Sequence, residues 1–274
     1  MTGVQTCALP IYELREFMKE HGGFEHNLHA LRIVTELEYR YPGFPGLNLT
    51  WEVREAFAHH SKSNDKMLDR YKSVGMPFLE AQVADEIDSL AYNSHDVEDA
   101  LSAGLITETD IMDIQIWRQT YNDIIRQYPS IPSGTRVPTI VRKMIDTQVT
   151  DLIFQSRENF KNERIDSVEA VRRSKNLLIG MSTKMRELRK ELESFLHRQV
   201  YKNTRVQRMA QKGRRIIRRL FQEFLACPLL LPTRYREKLN TLSPHRVICD
   251  YLAGMTDRFA RMEYGRLFNP NDDV

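Results

Sequence analysis

Asp88, Tyr92 and Asp96 stand four residues apart in the run A-D-E-I-D-S-L-A-Y-N-S-H-D-V-E-D-A-L, residues 84–101. In a helix that spacing sets side chains one above another, offering a carboxylate, a phenol and a second carboxylate to one pocket. Such a set fits a nucleotide. On chemistry alone, a solvated acidic face is the commoner origin of a carboxylate row.

A second chemical signal has the opposite sign. Between Tyr201 and Leu220 there are eight Lys or Arg and no acid, and Arg208, Lys212, Arg215 and Arg219 share one helical stripe. Such a stripe suits the phosphates of a nucleotide, a single strand of nucleic acid or an acidic neighbouring subunit, and it also suits a plain solvated face. Aromatic interleaving of the kind that grips single strands is thin, since Tyr201 and Phe221 only flank the run.

The elements that must position these groups read as helices. Apolar residues recur at three and four in L-H-A-L-R-I-V-T-E-L, in I-M-D-I-Q-I-W-R-Q-T-Y-N-D-I-I and in L-I-G-M-S-T-K-M-R-E-L-R-K-E-L-E-S-F-L, and strand patterns are lacking. Pro and Gly mark breaks at 41–46, 128–134 and 228–232. Thr107-Glu108-Thr109-Asp110 predicts a helix start, with Thr107 capping and Asp110 completing a capping box. His59 and His60 fit a helix end, where a cation complements the dipole. The segment 128–134 is the best boundary, between an acidic amino-terminal part and a more basic carboxy-terminal helical region.

Three further segments join the acidic row in order along the chain: G-G-F-E-H-N-L-H-A-L-R-I-V-T (22–35), G-L-N-L-T-W-E-V (46–53) and R-V-I-C-D-Y-L-A-G-M-T-D-R-F-A (246–260). Together the four resemble the bacterial deoxyguanosinetriphosphate triphosphohydrolase-like proteins of the HD superfamily, over roughly residues 12–270. The resemblance implies an all-α fold with an HD-domain-type helical core, residues 12–127, and a carboxy-terminal helical region, residues 135–274. It implies metal-dependent hydrolysis of a dNTP, dGTP among them, to deoxynucleoside and tripolyphosphate, with Mg or Mn as the divalent metal. Asp88 then looks like the last metal ligand, Tyr92 packs on the deoxyribose and Asp96 accepts from its 3′ hydroxyl. His26, in F-E-H-N, resembles a position that approaches the phosphates, where it is a candidate proton donor; a helix-cap His is the alternative. Arg136 and Arg142 are candidate ligands for the triphosphate, whose charge calls for several cations. Asp250, Tyr251, Asp257 and Arg258 could reach the nucleotide, but packing is the favoured reading, with Asp257 and Arg258 paired. The family also implies a homo-oligomer.

The family pattern also needs a His and a His-Asp pair before the G-G-F-E motif. Only 21 residues precede Gly22, and the sole His-Asp of the chain is His95-Asp96. The first eleven residues, M-T-G-V-Q-T-C-A-L-P-I, read back through codons as a sequencing-library adapter, so residues 1–11 are set aside as a non-native segment fused to a truncated core. On this reading the piece itself is catalytically inactive, because one carboxylate holds no catalytic metal. The alternative is a naturally short, non-catalytic helical module that binds dNTP or single-stranded nucleic acid. Apolar surface on residues 26–40 and 78–101 is then expected to lie uncovered.

Composition sets the remaining bounds. With 274 residues and 41% hydrophobic content the chain can bury one large core or two modest ones, and with 40 basic against 37 acidic residues it carries a formal charge of only +3. No apolar run reaches the ~18 residues of a membrane span, so no membrane partner is expected. Cys227 and Cys249 lie in apolar surroundings without metal-ligand spacing, as reduced thiols of a cytoplasmic protein do.

Overall fold

The computed structural model describes residues 8–61, 68, 70–71 and 75–271. Among these, every regular element is helical, accompanied by two isolated β-bridges, Tyr39 with Gly46 and Tyr41 with Phe44. The described part is all-α, ending in a carboxy-terminal helical region. Residues 1–7 of the adapter-like segment lie outside the described part, and α1 is Ala8–Met18.

The chain divides into two compact units, Lys72–Val206 and Gln5–Tyr71 with Gln207–Val274. In the first, the long α4 (Leu79–Ser102) packs on α7 (Ser133–Asn162), which also packs on α6 (Gln115–Gln127). α9 (Thr183–Leu196) lies against α4 and α6. Leu90, Trp117, Ile140, Met144, Leu192 and Leu196 fill the space between them. Residues 128–134 join α6 to α7 inside this unit.

The local signals explain the boundaries. Thr107 caps α5 (Glu108–Ile111) by accepting from the Asp110 amide, while the Asp110 carboxylate accepts from the Thr107 amide, the reciprocal box expected there. The apolar pattern over 111–125 predicts one helix, but the backbone turns at Met112–Ile114 and restarts at Gln115. The pattern from Leu178 likewise runs ahead of its helix. Ser182 caps α9 by accepting from the Met185 amide, and Asp151 fixes Ser182 by accepting from its amide and hydroxyl at 2.8 and 2.7 Å. That N-cap fixes the helix start although the apolar periodicity continues upstream.

In the second unit α1 packs against α12 (Pro244–Ala253), and Phe17 stacks on Phe221 of α10 (Thr204–Ala226) at 4.1 Å. Leu14, Met18, Phe224, Val247 and Ile248 complete this core. α2 (His26–Arg32) continues into a wider turn, Ile33–Leu37, and packs on α3 (Trp51–His60) through Leu28, Leu31 and Ala58. His59 and His60 do end α3, as their position predicts. Cys249 is buried and Cys227 half-buried, both free thiols. Gly254 ends α12 without any close approach of another element. No helix among the described residues is long and apolar enough to cross a membrane.

Candidate nucleotide site

The acidic row does fall on one helix, α4, but it does not share one environment. A four-residue step turns an α-helix by about 40° beyond a full turn, so positions 88, 92 and 96 spiral around the axis. Asp88 is exposed, the Tyr92 ring lies at the margin at 36% exposure, and Asp96 is in the core at 4%. The spiral ends where α4 meets α9.

Asp96 has a specific partner there. After α9 the helix widens over His197–Tyr201, and this wider turn is followed by the start of α10. The Tyr201 hydroxyl donates to Asp96 Oδ2 at 2.5 Å. Burial pushes the Asp96 carboxyl up to about 6, against the opposing pull of Tyr201, with Asp99 raising it and His95 lowering it further. Burial and the Asp96 charge together push the Tyr201 phenol well above its usual range, with smaller contributions from Tyr92 and Glu193.

Glu193 belongs to a polar strip on the same side. Asn93 Nδ2 donates to Glu193 at 2.9 Å, and Arg189 bridges Glu193 at 3.0 Å and Glu86 at 3.2 Å. A ring at the margin, a carboxylate that titrates near 6 and a phenol holding it in place suit a ligand that combines a flat or puckered ring with a hydroxyl. A carboxylate has about four acceptor positions, so the bond from Tyr201 leaves capacity for a second donor.

Arg136 of α7 is held by Glu108 through two bonds, at 2.6 and 3.1 Å, and Arg142 is exposed with Thr139 as its partner at 3.2 Å. His26 opens α2 in the second unit, half-exposed and 3.0 Å from Glu25, whose carboxylate caps that helix. Arg208, Lys212 and Arg215 are exposed on α10, whereas Arg219 donates to Tyr264 at 3.0 Å. Among the described residues no group of three or more His, Cys, Asp or Glu is placed to hold a metal ion. Exposed Asp88 does not by itself fit such an ion.

The 246–260 segment is built around an ion pair that its sequence leaves unassigned. Arg32 of α2 donates to both oxygens of the fully buried Asp250, at 2.5 and 3.3 Å, and to Glu36 at 2.7 Å. Asp257 and Arg258 are both exposed, and the ion pair found in this segment is Arg32–Asp250. His29 stands 3.7 Å from Asp250, deeply buried, with neither ring nitrogen hydrogen-bonded. Burial brings its imidazole down to about 4; Asp250 opposes this while Arg32 and Arg246 add to it, so the ring is neutral at neutral pH.

An all-helical chain of this kind is at home among the HD-superfamily phosphohydrolases, and residues 179–266 match the phosphohydrolase-associated domain. The deoxyguanosinetriphosphate triphosphohydrolase-like protein of Geobacter metallireducens is 40% identical over 264 residues, covering 95% of this chain and 69% of the relative. That of Nitrosomonas europaea is 42% identical over 260 residues, 93% of this chain and 69% of the relative, and that of Rickettsia bellii 34% over 276, 94% and 71%. The chain belongs to the deoxyguanosinetriphosphate triphosphohydrolase-like family.

Proposed function

We propose that the protein serves hydrolysis of deoxynucleoside triphosphates, dGTP among them, to deoxynucleoside and tripolyphosphate. The observation that carries this reading is the Asp96–Tyr201 bond beside the marginal Tyr92 ring. Tyr92 packs on the deoxyribose, leaving no room for a 2′ hydroxyl, and Asp96, held by Tyr201, accepts from the 3′ hydroxyl. Arg142 is a phosphate ligand on this reading, and Arg136 becomes one on leaving Glu108. His26 serves as a proton donor to the phosphates.

A divalent cation, Mg²⁺ or Mn²⁺, belongs to the same proposal, with Asp88 as one ligand. The remaining ligands on this reading are a His and a His-Asp pair outside the described residues, since one carboxylate holds no catalytic metal. Residues 12–127 then represent part of the hydrolase core and 135–274 the carboxy-terminal region, in a cytoplasmic homo-oligomer.

The test is a paired assay with each dNTP plus Mg²⁺ or Mn²⁺, following tripolyphosphate. One sample is this chain and the other an amino-terminally extended version supplying a His and a His-Asp pair upstream of Gly22. Product from the extended version alone supports the reading. Product from the short chain overturns the metal assignment, and none from either favours a non-catalytic module. The exposed Arg208, Lys212 and Arg215 on α10 are the observation that favours such a module, as a binder of dNTP or single-stranded nucleic acid.

A further inference from the structure

In the second unit two cations share two aromatic rings. The Arg234 guanidinium of α11 (Thr233–Arg236) lies 5.2 Å from the centre of the Tyr235 ring and 5.8 Å from that of Tyr39. The Lys238 ammonium lies 5.7 and 6.0 Å from the same two rings. Both cations are therefore held in one place by ring faces rather than by carboxylates.

The carboxylates near them are already engaged. Asp250 and Glu36 both accept from Arg32. Burial depresses the half-buried Lys238 ammonium; Asp250 opposes this, Arg234 and Arg32 add to it, and Glu36 opposes it in turn. Three cations against two carboxylates leave this cluster with a net positive field, which an anion would neutralise.

The cluster is also built to stay in place. Arg234 Nη2 donates to the Leu37 carbonyl at 3.2 Å, tying α11 to the end of the α2 turn. Tyr39 is fixed by the bridge to Gly46, whose amide donates to the Glu38 carbonyl at 2.7 Å. Beyond the cations the surface is aromatic. Tyr39 is 60% exposed, and Tyr41, two residues on, stacks on exposed Phe44 at 4.8 Å.

We propose that Tyr39, Tyr235, Arg234 and Lys238 form a binding site for a nucleoside phosphate, with its phosphates on Arg234 and Lys238 and its base against Tyr39. Phosphate needs more than one cation, and a base needs an exposed π-face; the cluster offers both. The same chemistry is presented by a free nucleotide and by the end of a single strand.

The test uses the whole chain at low salt, titrated with dGTP, inorganic tripolyphosphate, deoxyguanosine and a short oligothymidylate, read by calorimetry. Tripolyphosphate has no sugar or base, so its binding is independent of Tyr92 and Asp96, and its loss on substituting Arg234 and Lys238 separates these two from Arg136 and Arg142. Arg234→Met with Lys238→Met keeps the apolar stems and is expected to weaken both dGTP and tripolyphosphate about tenfold or more. Tyr39→Ala is expected to weaken dGTP more than tripolyphosphate, which loses only the ring's hold on the two cations. Displacement of dGTP by oligothymidylate identifies a strand end as a ligand, and failure to displace it identifies the free nucleotide; either supports the site. Unchanged affinity in the double variant, with its helical circular dichroism intact, overturns the proposal, as does the absence of tripolyphosphate binding to the unaltered chain.

Discussion

Tyr201 reaches Asp96 across 105 positions of sequence and donates its hydroxyl to a carboxylate that the fold has taken out of water. The bond favours the ionised carboxylate, against burial, which favours the neutral acid. Tyr201→Phe is therefore expected to raise the Asp96 pKa further above about 6 and to destabilise the first unit at neutral pH by ~1–3 kcal/mol. Below the pKa, where the acid is already neutral, the loss should shrink. Urea unfolding of both proteins at neutral and mildly acid pH checks this, and a loss that is the same at both would show that packing, not the charge, is what Tyr201 supports.

Asp96 and His29 should give the two units opposite responses to acid. The Asp96 pKa rises on folding from 3.8 to about 6, so the folded state holds more protons in that window and stability falls as pH rises through it. The His29 pKa falls from 6.5 to about 4, so the unfolded state holds more protons and stability is lost as pH drops from 6.5 towards 4. Relative to the unaltered protein, Asp96→Asn should gain stability from pH about 4 to about 6, and His29→Gln should gain it in the reverse direction. Each difference should approach ~2–3 kcal/mol at most. Unfolding followed against pH for the three proteins decides it, and parallel curves would sink the assignment of both groups.

The sequence made the helices legible because their apolar spacing is local, and the Thr107 box because it is contained in four consecutive residues. The restart at Gln115 and the late start at Thr183 were hidden, because apolar residues continue through both turns and only Asp151, 31 positions away, fixes Ser182. Spacing named Asp88, Tyr92 and Asp96 together but not their different depths, which depend on where α9 lies against α4. Tyr201 looked like a mere flank of a basic run. Nothing local in Arg32 or Asp250 announces a partner 218 positions distant, and the nearest signal was the unexplained acid in R-V-I-C-D-Y.

Arg32 separates a buried ion pair from an exposed one within a single side chain. Asp250 is fully buried and accepts from two of its nitrogens, whereas Glu36 is largely exposed on the neighbouring turn. Removing one partner of a buried pair strands the other charge, so Asp250→Ala is expected to cost about 3–5 kcal/mol. Glu36→Ala removes a solvent-screened bond and should cost no more than ~1 kcal/mol. Denaturant midpoints for the two variants provide the measurement. Equal losses would mean that the Asp250 carboxylate is reached by water.

Gly46 is the position where backbone conformation supports the aromatic surface. Its φ is +76°, a region that side chains avoid, and a Cβ there would lie 2.5 Å from the Thr35 carbonyl carbon and oxygen and 2.7 Å from the Val34 oxygen. Those contacts are backbone and cannot swing aside, so Gly46→Ala must displace the loop that carries Tyr39 and its bond to Glu38. A loss of ~2 kcal/mol or more is expected, and with it the binding of dGTP at the Tyr39 cluster. Gly43→Ala, in the same loop with nothing within 4 Å of the added carbon, should leave both nearly unchanged. Thermal unfolding and dGTP titration of the two variants test the relationship directly. If Gly46→Ala matched Gly43→Ala in both, the loop would not depend on the close approach to Thr35, and Tyr39 would have to be held by Arg234 and Lys238 instead.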